Sequence, residues 1–94
     1  MNDWDLISFV KSSDKRLRIL SMLKHSVSTP SDISINLSIP ISHVSSTLSE
    51  LMENKIVICL TPERRKTKLY KITEKGVKVL SKIDEITGGN IGDE

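Results

Sequence analysis

Cysteine is almost missing from this 94-residue chain: Cys59 stands alone. A single thiol forms no internal disulfide and supplies no zinc ribbon, so packing has to hold the fold together. Aromatic residues are nearly as scarce, with Trp4, Phe9 and Tyr70 the whole set. That disfavours single-strand nucleic-acid binding, which stacks successive bases on aromatic platforms; duplex recognition needs none. Long apolar runs are absent too. The stretch from Trp4 to Val10 is too short for a membrane span or for the apolar part of a secretory leader, and a soluble, cytoplasmic protein is expected. His25 and His43 are separated and give, with Cys59, no metal-binding constellation. Neither a phosphate-cradling glycine loop nor a nucleophile beside a base can be picked out. The chain therefore reads as a non-enzyme with no cofactor and no metal.

A chain of this length holds one small domain with a modest core, expected over residues 1–87, followed by a flexible acidic tail at 88–94. Its formal net charge is +2, but the charge is unevenly placed. Between Lys55 and Lys71 six basic residues face only Glu63, a local excess of +5 that leaves −3 elsewhere. Clustered cations suit a polyanion, because each phosphate neutralised releases a condensed counterion. A solvated hairpin tip is the plainer reading of the same charges.

The apolar pattern predicts a mostly α protein with a small β-hairpin. Trp4, Leu6, Ile7, Phe9 and Val10 form the stripe of a first helix over Asp3–Lys11. Ser12 or Ser13 can cap a second helix ending near His25, with Leu17, Ile19, Leu20 and Leu23 on its buried face. Ser26 to Ser31 is turn chemistry, within which Thr29-Pro30-Ser31-Asp32 has the form of an N-cap opening a short helix through Leu37. Ser38-Ile39-Pro40 breaks the chain before a helix from Ile41 to Asn54. That helix buries Val44, Leu48, Leu51 and Met52 and presents Ser42, His43, Ser45, Ser46 and Ser49 on its outer side. Serine is an indifferent helix former, so this face is not built for helix propensity. Small hydroxyl side chains do let a helix enter a major groove closely, although a solvated face would look the same.

Asn54 is the residue expected to end the helix in the left-handed conformation. Strands are predicted over Lys55–Leu60 and Lys68–Ile72, joined by a turn at Thr61–Thr67, and Thr73-Glu74-Lys75-Gly76 opens a last helix that ends at Gly88-Gly89. Tyr70 and Cys59 read as core and strand residues rather than as a stacking platform and a redox switch.

Three stretches, DKRLRILSML, HVSSTLSELMENKIV and CLTPERRKTKLYKITEKGVKVL, carry a resemblance to the archaeal and bacterial winged helix-turn-helix transcriptional regulators, the broad group with ArsR-like and MarR-like repressors. Together they span about Asp14 to Leu80. The resemblance implies four helices, a two-stranded wing and a C-terminal helix, and double-stranded DNA as partner. It further implies that Ser42, His43, Ser45, Ser46 and Ser49 belong to the recognition helix, and that Arg64, Arg65, Lys66 and Lys68 of the wing reach phosphates or a minor groove. The chain departs from many relatives at Ser38, where they have glycine, and at Ser46 and Thr47, where they have basic residues. The wing is therefore expected to carry much of the affinity.

Helix-turn-helix operators are usually read by dimers. The first and last helices, with Trp4, Ile7 and Val10 and with Val77, Leu80 and Ile83, look more apolar than the core requires and are expected to form a homodimer interface. Alternatively, the two helices pack on each other within one chain. The other function open to such a fold is a protein-interaction module in a transcription, replication or modification complex. Operator sequence, sign of regulation and any small-molecule effector are not legible.

Overall fold

The computed structural model describes residues 3–87, so the acidic tail expected at 88–94 lies outside the described residues. Five helices and one hairpin follow in the order α1 Asp3–Lys11, α2 Asp14–His25, α3 Pro30–Leu37, α4 Ile41–Glu53, β1 Val57–Cys59, β2 Tyr70–Ile72 and α5 Glu74–Thr87. The helix starts obey local chemistry. Ser13, not Ser12, caps α2 by accepting from the Arg16 N–H at 3.3 Å, and the Thr29 hydroxyl accepts from the Asp32 N–H at 3.1 Å with Pro30 in the first turn of α3. At the start of α5 the Thr73 hydroxyl accepts from the Gly76 N–H at 3.1 Å and donates to the Lys55 carbonyl at 2.8 Å, tying the helix to the chain leaving α4.

A single core joins all these elements, built on Leu6, Ile19, Leu20, Ile33, Leu48, Leu51, Ile56 and Ile83, each essentially inaccessible to solvent. α1 lies against α2 and α5, while α3 packs on α4 and α2. Fully burying one such side chain contributes about 1.5–3 kcal/mol, which is how a chain with no cross-link holds this shape.

Three expectations need correction. The strands are shorter than predicted, at 57–59 and 70–72, with register Val57 to Ile72, Ile58 to Lys71 and Cys59 to Tyr70. Beyond them the two segments stay in contact through the Leu60 N–H to the Leu69 carbonyl at 2.8 Å and the Leu69 N–H to the Thr61 hydroxyl at 3.0 Å. The segment read as turn chemistry also contributes to the sheet. Ser28 forms an antiparallel bridge with Tyr70 through 2.9 and 3.2 Å hydrogen bonds, so β2 is flanked on both sides. Finally, the left-handed residue after α4 is Lys55, with φ 64°, while Asn54 remains at φ −94°. The Lys55 N–H bonds to the Met52 carbonyl and the Ile56 N–H to the Leu51 carbonyl, a Schellman closure that leaves Ile56 and Leu51 both buried.

Ser38 likewise adopts φ 55°, ψ 44° at the end of α3, the conformation that glycine enters most easily. Its strain is partly offset by the Ser34 hydroxyl, which donates to the Ile39 carbonyl at 2.6 Å. A real glycine constraint exists at Gly76, where a Cβ would collide with the Ile56 carbonyl oxygen and lie 2.6 Å from Ile72 Cγ1. Ser38→Gly is expected to raise unfolding free energy by roughly 0.5–1 kcal/mol and Gly76→Ala to lower it by about 2 kcal/mol in urea titrations. Opposite signs would contradict the backbone described.

Candidate nucleic-acid interface

The orientation of α4 follows from four residues. Val44, Thr47, Leu48 and Leu51 are buried, and α4 packs on both α2 and α3. With about 100° between successive residues, burying that stripe turns Ser42, Ser46 and Ser49 outward. All three are exposed, as are His43 and Ser45 at the margins of the same face, so the five residues predicted for the recognition helix share one accessible surface. Thr47, although polar, belongs to the buried side.

No side chain caps the N-terminus of α4, since Pro40 occupies that position. The positive end of the helix dipole is thus left at the edge of the serine face. A cation missed in the sequence stands there. Lys15, in the first turn of α2, places its Nζ 3.0 Å from His43 Nδ1. An ammonium only donates, so Nδ1 accepts and the ring proton of a neutral His43 resides on Nε2. Nothing in the spacing of residues 15 and 43 announces this contact, which exists only because α2 and α4 cross.

Arg16, one residue on, fixes that crossing. Its guanidinium donates from Nε to Glu50 Oε1 of α4 at 3.1 Å and from Nη1 to the Phe9 carbonyl of α1 at 2.8 Å, and it lies 4.0 Å from the centre of the Phe9 ring. Arg18 donates to the Leu37 carbonyl at 2.9 Å, supporting the end of α3 before the turn into α4.

The loop between β1 and β2 opens with a turn in which the Arg64 N–H bonds to the Thr61 carbonyl at 3.0 Å, with Pro62 and Glu63 in the middle. Thr67 is left-handed, φ 52°. Arg64, Arg65 and Lys66 are exposed and Lys68 is half-buried; none takes part in an ion pair among the described residues. Below the loop, burial pushes the Tyr70 hydroxyl above its ordinary range, with the Cys59 thiol beside it adding to the effect. Both are half-buried, and Tyr70 packs against the core.

The residues assigned to a dimer face divide. Ile7, Val10, Leu80 and Ile83 are buried inside the single chain, where α1 meets α5, whereas Trp4 is 68% and Val77 37% exposed. Trp4 and Val77 border a groove of about 400 Å³ rimmed by Lys75, Lys78 and Lys82. Among the described residues there is no cluster of three or more potential metal ligands and no helix long and apolar enough to cross a membrane.

The winged helix-turn-helix family profile matches residues 16–89, most of the chain, and the protein belongs to that family. Similar solved structures include a protein from Mycobacterium tuberculosis, RV1404, 20% identical, covering 92% of this chain and 61% of that one with a TM-score of 0.75. A MarR family transcription regulator is 18% identical over 85% of this chain and 54% of its own, TM-score 0.74. A variant of ZitR from Lactococcus lactis is 22% identical over 85% and 56%, TM-score 0.72. At these identities the likeness concerns the fold. This chain spans little more than half the length of those proteins. No curated protein matches it.

The Lys15 contact gives a spectroscopic expectation. Nitrogen-15 shifts of the His43 ring should report the Nε2–H tautomer in the neutral state, and Lys15→Ala should shift the mixture towards Nδ1–H. An unchanged tautomer balance in the variant would show that Lys15 does not hold the ring.

Proposed function

We propose that this protein is a transcriptional regulator that binds double-stranded DNA, with α4 in the major groove and the basic loop at 61–69 on neighbouring phosphates or in the adjacent minor groove. The observation that supports it best is a continuous, small, polar face on α4 in the same domain as a loop whose four cations lack ion-pair partners among the described residues. Phosphate contacts from Arg64, Arg65, Lys66, Lys68 and Lys15 set the register, and contacts from Ser42, His43, Ser45, Ser46 and Ser49 to base edges set the sequence preference. Glu53, exposed in the last turn of α4, repels phosphate at that end and favours entry by the N-terminal half. Occupancy of the operator then blocks or recruits polymerase in the cytoplasm.

The protein-interaction reading draws on one feature, the exposed Ile58 and Leu60 on and beside β1. Two isolated apolar side chains are ordinary surface, however, and such a module has no need of clustered cations. DNA is therefore preferred. We place a two-fold contact at the Trp4 and Val77 surface between α1 and α5, which would present two copies of α4 to half-sites about 34 Å apart.

Two measurements check this. Plotted against log salt, log affinity for duplex DNA should fall linearly, and Arg64→Ala with Arg65→Ala should flatten the slope by about one to two units; an unchanged slope removes the loop from the interface. Sedimentation should show a dimer that Trp4→Ala weakens. A wild-type monomer at tens of micromolar, the roughly −6 to −7 kcal/mol regime of association, would remove the two-fold contact.

A further inference from the structure

We propose that Ile41 is a specificity residue that reads thymine, so that the preferred duplex presents A·T pairs to the first turn of α4. The proposal rests on the DNA-binding reading above and identifies what that surface selects. Ile41 opens α4, is 51% exposed, and stands at the N-terminal end of the helix proposed to enter the major groove. It shares the outward arc with Ser42, Ser45, Ser46 and Ser49. These positions cover about 140° of the helix circumference, with Ile41 at one margin, about 20° from the buried Leu48, and His43 beyond the other margin.

What this arc lacks is as telling. It holds no arginine or lysine to clasp guanine and no asparagine or glutamine to clasp adenine. Glu50 already accepts from Arg16 and sits towards α2, and Glu53 is at the far end of the helix. Serine hydroxyls donate or accept and so discriminate weakly. In the first turn of α4 the His43 ring is engaged by Lys15 through Nδ1, which leaves the isoleucine side chain as the apolar reader, and the base feature it can recognise is the 5-methyl of thymine. The surrounding serines are short enough to let it approach. The arginines at 64 and 65 pull the same way, because the narrow minor groove of A·T-rich DNA attracts inserted arginine.

The test uses the full chain with three duplexes at one salt concentration: alternating dA–dT, its dA–dU counterpart, and alternating dG–dC. Uracil keeps every hydrogen-bonding group of thymine and removes only the methyl. The dA–dT duplex should bind tightest, and the dA–dU duplex weaker by about fourfold for each thymine methyl that Ile41 covers. Ile41→Ala should bring dA–dT down to the dA–dU level and abolish the difference between them, while Ile41→Val, which keeps methyl surface, should retain most of it. Equal binding of dA–dT and dA–dU by the wild-type chain overturns the thymine reading alone. A dA–dU penalty that persists in Ile41→Ala removes Ile41 from the role. Failure to bind any of the three duplexes overturns the DNA-binding reading and this proposal with it.

Discussion

The burial of one stripe on α4 governs what this protein can present to a partner. Val44, Thr47, Leu48 and Leu51 sit in the core, and their removal from water is worth several kcal/mol in total at about 1.5–3 kcal/mol per aliphatic side chain. Turning the helix by one residue would bring serine hydroxyls into the same apolar space without partners, at about 1–3 kcal/mol each. The two effects add, so the helix has one orientation. Ser42, Ser46 and Ser49 are accessible because of it, and so is the flank carrying Ile41 and Ser45. Arg16 reinforces the docking by reaching α1 and α4 from α2, with a half-buried guanidinium on both Phe9 and Glu50. A long side chain thus sets the angle between elements that the core alone would leave looser.

Backbone strain collects around the same surface. All three described non-glycine residues with positive φ, Ser38, Lys55 and Thr67, fall before α4, after α4 and in the basic loop. For such residues the left-handed conformation costs about 1–2 kcal/mol each. Each is held by its neighbours: Ser34 with Ile39 at the first, the Schellman closure at the second, and the loop flanked by the Leu60 and Leu69 pairing at the third. The chain gives up stability for sharp backbone turns at both ends of α4 and within the basic loop. Gly76 is the complementary case, a position where absence of a side chain lets α5 start directly against Ile56 and Ile72.

Much of this was legible because it is local. The Thr29-Pro30-Asp32 cap, the break at Ser38-Ile39-Pro40 and the spacing of Val44, Leu48 and Leu51 each act within a few residues, and the folded chain keeps them. What escaped was made by crossings distant in sequence. The bridge from Ser28 to Tyr70 joins residues that carry no strand pattern on one side, and the Lys15 contact to His43 depends on the angle of α2 to α4. Asn54 was a reasonable place for a left-handed exit by propensity, but the register of Ile56 over Leu51 moved that conformation to Lys55. The apolar excess of α1 and α5 was also real. Its main use is internal, since Ile7, Val10, Leu80 and Ile83 find their cover within one chain and leave Trp4 and Val77 outside.

The proposed duplex-binding surface is α4 together with the basic loop. The most direct measurement is a titration of the isotopically labelled protein with duplex DNA at low salt, following backbone amide shifts. The largest changes should fall in residues 41–49 of α4 and 61–69 of the basic loop, with Lys15 beside them. Changes concentrated instead on the Trp4 and Val77 face, or no changes at all, would contradict the assignment of α4 and the loop as the nucleic-acid surface.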